Sequence, residues 1–332
     1  MIDSVDVIFG LAWGDEGKGK VTSHLANYYD MVCRWAGGNN AGHTVYKDGK
    51  KYKTHLIPSG IFHNRPSIIG PGCVVHWRSF LDEIEYLKSH GFDTSLVKIS
   101  PRAHIVTAEH IQIDKASLHS SLGTTNKGIG PCYASKAGRN GILASHLTYI
   151  QNSGFLWDEK LEGRILCEGA QGFWLDIDAG NYPYVTSSTT LPYGACSLGF
   201  PPQKLQKIMG VAKIYDTRSG EDPDFPMSLM DNPELAKIGE VGKEYGVTTG
   251  RQRKVNYLNL DKLQYATNVS GCTHVVINKT DILEEVEVYK LYYMNKLQVF
   301  PRMSDMKRYI EEKLKINNPE LKIIFSDNPE RI

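Results

Sequence analysis

Paired cysteines, a basic surplus and long apolar runs are all missing from this 332-residue chain, and each absence removes a class of protein. The six cysteines are scattered, with no C-x-x-C pair and no regular spacing. That excludes a disulfide frame or a cysteine-built zinc site and fits reduced thiols in a cytosol-like compartment. A formal net charge of +1 argues against a general nucleic-acid binder, which carries a basic excess. No apolar run approaches the roughly 20 residues of a membrane span. The N-terminal "MIDSVDVIFG" has an acid where a secretory leader has a basic flank. Internal repeats, low-complexity tracts and Pro/Ser-rich linkers are absent too. A soluble cytoplasmic protein is expected, folded as a single domain over residues 1–332, with neither a membrane nor a nucleic acid as partner.

What is present is a set of short, β-branched apolar runs: "VDVIF", "SIIG", "GRILCEG", "IMGVAKIY" and "HVVINKTD". Such runs read as buried strands of a parallel sheet. Helix-like stretches lie between them, among them "SHLANYY", "RSFLDEIEYLKSHG", "DKLQYATNVSG" and the amphipathic "SDMKRYIEEKLKI". Strands alternating with helices predict an α/β fold with a mostly parallel central sheet flanked by helices. The loops between are long, and long loops in a compact domain usually carry function.

The first loop, "WGDEGKGK" at residues 13–20, holds three glycines, two acids and two lysines directly after an apolar run. Glycines let backbone N–H groups turn toward an anion, and a following helix adds its dipole. Lys18 and Lys20 can neutralise phosphate charge. The stretch is nevertheless not G-x-x-x-x-G-K-[ST], because Ala12 replaces the first glycine and Gly19 the hydroxyl. Phosphate binding and a charged turn are both open on this loop alone. Four further glycine-bearing loops shift the balance: "RWAGGNNAGHTV", "LGTTNKGIGPCYASKAGRNG", "CEGAQGFWLDIDAGNYPYVTSSTT" and "EYGVTTGRQRK". In the first of them His43 sits among glycines on a polar loop, where acid–base or charge-stabilising work is plausible. In the last, two hydroxyls join Arg251 and Arg253, a set suited to gripping a carboxylate. Finally "VVINKTDIL" runs a strand into Asn-Lys-x-Asp, the arrangement by which guanine-nucleotide proteins read the base, with Lys279 and Asp281 the residues of interest.

Together these loops resemble the adenylosuccinate synthetase family. The match runs in order through "WGDEGKGK", "GGNNAGHTV", "HLIPSGI", "GTTNKGIGP", "EGAQG", "DIDAGNYPYVTSS", "YGVTTGRQR" and "NKTD". The resemblance implies a P-loop-NTPase-like fold with long inserted active-site loops. It also implies a two-step reaction, in which a nucleoside triphosphate, usually GTP, phosphorylates the 6-oxygen of a purine nucleotide and L-aspartate then displaces that phosphate. Asp15 matches the base that removes the purine N1 proton, and His43 the stabiliser of the transferring phosphoryl group. Mg2+ would be met by Asp15 and the Gly42 carbonyl. Gly14, Glu16, Gly17, Lys18 and Gly19 match the triphosphate loop, with Lys279, Asp281 and Ser326 at its base. Asn40, Thr125, Gln171 and Thr186 match purine nucleotide contacts, and Ser219 falls in a loop expected close to the sugar. Arg139 matches an arginine that reaches the 5′-phosphate across a homodimer interface. Thr248, Thr249, Arg251 and Arg253 match the aspartate loop.

The chain departs from the family at four points. It is shorter than the usual bacterial enzyme. "TTLPYG" brings Leu191, Pro192 and Tyr193 into a segment that is normally small and flexible, near the expected purine and sugar pocket. "TRSGEDPDFP" adds Ser219, Glu221 and Asp222 close to the sugar, and "FSDNPERI" puts Asn328 where a glycine is usual, loosening the case for GTP over ATP. A phage branch of the family acts on dGMP instead of IMP. The two altered loops favour dGMP, since an added exocyclic amine needs an acceptor and costs roughly 1–3 kcal/mol if buried without one. Asp15, which some members of that branch lack, is kept here, and IMP stays as the alternative acceptor. A guanine-nucleotide switch protein would explain the first loop and "NKTD" but leaves "NNAGHT", "YPYVTSS" and "VTTGRQR" without work. A P-loop-type carboligase or kinase on another acceptor is disfavoured by the aspartate-loop match.

Overall fold

Nine residues of mostly apolar, β-branched character form strand β1 (Ile2–Gly10), whose side chains are buried from Val5 onward. A strand that is apolar on both faces needs cover on both, as in the interior of a parallel sheet. The computed structural model, which describes residues 1–116, 123–246 and 250–332, places β1 inside an eight-stranded sheet. Its other strands, in chain order, are β2 (Met31–Arg34), β3 (Ser67–Ile69), β4 (Val97–Ile99) and β5 (Gly163–Glu168). Then come β6 (Leu205–Lys213), β7 (His274–Asn278) and β8 (Lys322–Phe325). The spatial order is β8-β7-β6-β1-β5-β2-β3-β4, with every neighbouring pair parallel. All carboxyl ends therefore share one edge, where open α/β sheets bind their ligands.

The expected helices form over Trp77–Ser89, Leu260–Val269 and Met303–Leu314. One boundary differs. The first helix, α1, spans Lys18–Leu25 and so begins inside the glycine loop and not at Ser23. Gly17, at φ 96°, turns the chain into it, a conformation that costs glycine little. Strands β2, β4 and β8 are too short for periodicity to reveal them. "IMGVAKIY" also divides: β6 ends at Lys213, and Tyr215–Arg218 joins a second, four-stranded sheet with Lys254–Asn259, Lys290–Tyr293 and Lys296–Val299. A hairpin, His43–Lys47 with Lys50–Thr54, turns at Asp48-Gly49, both at positive φ, as a two-residue type I′ turn requires. One core cluster joins the two larger sheets through Phe9, Trp35, Phe173, Tyr215 and Leu258. A second, with Ile57, Phe62, Phe80 and Ile99, packs against that hairpin. Among the described residues no helix is long and apolar enough to cross a membrane.

Candidate active site

The loop after β1 is braced from within. Glu16 is buried, and its carboxylate accepts N–H bonds from Ala12 (3.2 Å) and Gly14 (2.8 Å) and the Lys18 ammonium (2.5 Å). Lys18 also donates to the Gln171 carbonyl. Thus Glu16 shapes the loop and holds one of its lysines, while Gly14, Asp15 and Gly17 take the positive φ values of its turns. Gly19 is required by close approach: a Cβ there would lie 2.9 Å from His43 Cβ. Through that contact the first loop meets the second.

His43 opens its hairpin with a buried ring whose Nδ1 pairs with Glu168 at the end of β5. Glu168 also accepts from the Ser59 N–H (2.7 Å) and hydroxyl (2.8 Å). Burial raises the Glu168 carboxyl, but His43, the Ser59 N–H and Arg34 outweigh it and hold the group below the usual carboxylate range. An ionised Glu168 keeps the proton on Nδ1 and turns Nε2 away from itself. That Nε2 and the Gln171 side-chain oxygen are buried without a partner. Gln171 itself sits at φ 55°, beside Gly14 and Gly37. Three loops, from β1, β2 and β5, thus converge on unmatched polar atoms, the mark of a ligand-facing surface.

A second group of contacts joins α1 to β7 and β8. Lys20 Nζ donates to Asn278 Oδ1 (2.8 Å) and Ser326 Oγ (2.7 Å), and Asn278 Nδ2 donates to the Glu16 carbonyl (2.7 Å). Burial lowers the Lys20 ammonium to about 8, against the pull of Asp281 and Asp327. Lys279, at φ 69°, leads into the helix Thr280–Val286, with Asp281 in its first turn. The proposed base residues and the first loop therefore belong to one neighbourhood.

On the other flank Asp15 Oδ2 lies 2.8 Å from Arg253 Nε. Arg253 Nη1 in turn contacts Glu244 Oε2 at 2.6 Å. The acid and the arginine singled out from loops more than two hundred positions apart in sequence are ion-paired. Arg251 is exposed, beside Gly123 and Gly220. Thr248 and Thr249 lie outside the described residues. Thr125 lines a hollow of about 330 Å3 with Asn39, His76, Lys115 and Lys127. Asn40 accepts from the Gly38 N–H (3.1 Å), and the Thr186 N–H donates to the Leu175 carbonyl (2.8 Å). Ser219 is exposed. Arg139 is exposed beyond the helix Ile129–Ala137, at φ 64°.

The altered loops behave differently from one another. Leu191 and Pro192 are buried, opening a 3-10 helix (Pro192–Leu198), and the Trp35 indole N–H donates to the Thr189 carbonyl beside it (3.2 Å). They are core residues, and only Tyr193 is exposed. Glu221 pairs with Lys254 at 2.7 Å. Asp222 is buried near Arg218 and accepts from Asn181 (3.0 Å), leaving Oδ2 without a hydrogen-bond partner.

The family model described as adenylosuccinate synthetase matches residues 7–156 and 147–316. The chain belongs to the adenylosuccinate synthetase family. It is a carbon–nitrogen ligase of purine nucleotide biosynthesis. The adenylosuccinate synthetase of Shouchella clausii is 39% identical over 341 aligned positions, covering 86% of this chain and 79% of that one. That of Listeria welshimeri is 39% identical over 346 positions, covering 88% and 80%. Among solved structures, fully ligated adenylosuccinate synthetase from Plasmodium falciparum superposes with TM-score 0.85 at 29% identity, over 99% of this chain and 98% of that chain. The cyanophage S-2L succinoaminodeoxyadenylate synthetase (PurZ), bound to dGMP and dATP, gives TM-score 0.70 at 20% identity, over 94% and 100%, a likeness of fold.

Adenylosuccinate synthetases generally use Mg2+, and the donor chemistry here suits it. Mg2+ takes one or two oxygens from a protein and the rest from substrate phosphates and water. The Asp15 carboxylate, 28% exposed, is an oxygen donor of that kind. Among the described residues no larger His, Cys, Asp or Glu cluster competes for a metal. Sequence reading overlooked Glu168, Asn278, Lys213 and Glu244. Each lies inside or beside a quoted motif, but nothing in the linear chain says which carboxylate faces which cation.

Proposed function

We propose that this chain joins L-aspartate to C6 of a purine nucleoside monophosphate, driven by a nucleoside triphosphate. The observation that carries the reading is the set of contacts made by the loop after β1, in which Asp15 pairs with Arg253, Gly14 lies against Gln171 and Gly19 against His43. Asp15, on a strained turn and only partly buried, takes the N1 proton so that O6 can attack the terminal phosphate. His43, oriented by Glu168, presents Nε2 to the phosphoryl group in flight, where catalysis is mostly positioning and charge stabilisation. Mg2+ held by Asp15 and the Gly42 carbonyl would neutralise phosphate charge when bound. Arg253, Arg251, Thr248 and Thr249 would receive the carboxylates of L-aspartate. Asn40, Thr125, Thr186 and Ser219 would line the acceptor nucleotide, with Arg139 reaching it from a second copy in a homodimer. Lys279, Asp281 and Ser326 would seat the base of GTP, with ATP as the alternative donor.

For the acceptor, IMP is the reading supported best. Of the features that favoured dGMP, Leu191 and Pro192 belong to the core and Glu221 is engaged by Lys254. The relatives at 39% identity are adenylosuccinate synthetases. One observation favours dGMP: Asp222 Oδ2, in the altered loop, is a buried acceptor with no hydrogen bond, its charge met by Arg218 Nε at 3.8 Å.

A phosphate-release assay tests both statements, offering IMP, GMP and dGMP in turn with Mg2+, L-aspartate and GTP or ATP. Turnover is expected with IMP and GTP, and only when L-aspartate is present. Faster turnover with dGMP would transfer the assignment to the second acceptor. Phosphate release that ignores L-aspartate would sink the ligase reading and restore a nucleotide-hydrolysing switch.

A further inference from the structure

Glu244 precedes the aspartate loop and has no part in the roles described so far. Its side chain is 1% exposed, yet four donors from four chain segments reach it. Lys213 Nζ, at the end of β6, lies 2.8 Å from Oε2, and Arg253 Nη1 lies 2.6 Å from the same oxygen. The Tyr215 hydroxyl donates to Oε1 at 2.7 Å, and Lys279 Nζ approaches that oxygen to 3.9 Å. Lys213 is itself buried and donates onward to Thr217 Oγ1 (2.9 Å). One carboxylate thus gathers two buried cations and the lysine of the base-reading motif.

The geometry of Arg253 gives this arrangement a consequence. Nη1 is directed at Glu244, whereas Nε stands 2.8 Å from Asp15 Oδ2 without an aligned hydrogen bond. The guanidinium therefore spans two anions, hydrogen-bonded through Nη1 to Glu244 and in close ion-pair contact through Nε with Asp15, the end that faces the base. We propose that Glu244 is a positioning residue that anchors Arg253, holding its guanidinium where it can exchange Asp15 for an incoming carboxylate. This rests on the reading of Asp15 as base and Arg253 as a ligand of L-aspartate.

The charges make the direction plain. Asp15 and Glu244 are the anions of the group. Lys213, Arg253 and the half-exposed Lys279 are its cations, with Tyr215 beside them and Asp281 close by. Without the Glu244 charge, Arg253 has one anion left to pair with, Asp15, and nothing holds its other end in place. An arginine drawn wholly onto Asp15 is less available to substrate.

The test is Glu244→Gln, which keeps the shape and removes the charge. The KM for L-aspartate is expected to rise about 10- to 100-fold, the worth of one charge-assisted hydrogen bond. The KM for GTP and for the purine nucleotide should change less than about threefold, and Glu244→Asp should recover part of the loss. A uniform fall in kcat, with unchanged KM for L-aspartate, overturns the proposal. Should the single variant fail to fold, Glu244→Gln with Lys213→Met removes the stranded cation as well, and the same KM shift is expected. A readout free of turnover separates this proposal from the ligase reading. The 15Nε–Hε resonance of Arg253, recorded without substrate, should shift in Glu244→Gln, and an unchanged resonance refutes the anchoring even if the wild-type protein proves not to use L-aspartate.

Discussion

Glu168 and Glu244 are exposed by 0% and 1%, yet the first serves one imidazole and the second is shared among Lys213, Arg253, Tyr215 and Lys279. A carboxylate given to one ring fixes an orientation, because a single Nδ1 bond with two Ser59 donors behind it leaves the imidazole one pose. A carboxylate shared by several cations fixes a charge balance, and each partner can lean toward something else. The phosphoryl side is therefore built for rigidity, and the side proposed for L-aspartate for exchange. Both groups sit below the usual carboxylate range despite burial that pushes them up, Glu168 through His43 and Glu244, at about 2, through Lys213 and Arg253.

The largest way to break the comparison is to remove its two endpoints. Asp15→Ala and His43→Ala are each expected to lower kcat by about 100- to 10,000-fold, with the thermal midpoint little changed. A mutant of either kind with near-normal turnover would refute the assigned mechanism. Leu191→Ala probes a core position beside this site and is expected to cost about 2–5 kcal/mol of stability, measured by urea unfolding. A KM for the nucleotide that changes before stability does would return Leu191 to the acceptor pocket.

Glu168→Gln sharpens the contrast directly. It is expected to lower kcat about 10- to 100-fold, the range of one hydrogen bond to a charged group, without moving the KM for L-aspartate. A rise in that KM would erase the distinction between the two sides. In stability, both carboxyls have folded values below their unfolded ones, so each protects the fold fully above the unfolded carboxyl value of about 4.3. That protection is lost as pH falls through the folded value, about 2 for Glu244. The wild-type advantage over Glu244→Gln in unfolding experiments should therefore be greatest near neutrality and shrink between pH 4 and 2. Smallest of all, Glu221→Ala removes a half-exposed partner of Lys254 and should alter stability by no more than about 1 kcal/mol.

Much of this was legible in the chain. The runs "VDVIF", "GRILCEG" and "HVVIN" announced β1, β5 and β7 because a strand covered on both faces is apolar at every position, and no contact need be known to see that. The helices Trp77–Ser89 and Met303–Leu314 showed through their spacing for the same reason. Strands of three or four residues, such as β2, β4 and β8, are defined by their neighbours and carry little local signal, so they were not seen. Among the site residues, glycine-bearing loops named Asp15, His43 and Gln171, while Leu191 and Pro192, in a segment expected near the nucleotide pocket, carried no sign that they are buried in the core. A hydrophobic residue in a functional loop reads the same whether it lines a ligand or supports Trp35.

The sequence by itself determined the alternation of strand and helix, the loops that carry polar and glycine residues, and through them the family. Those are properties of neighbours along the chain, where backbone freedom and side-chain period act. Which acid meets which base was decided only in three dimensions. Glu168 reaches His43 because parallel strands bring distant loops to one edge, and Arg253 reaches Asp15 because the second sheet continues from the carboxyl end of β6 at that edge; a buried charge must find its opposite wherever the fold has put it.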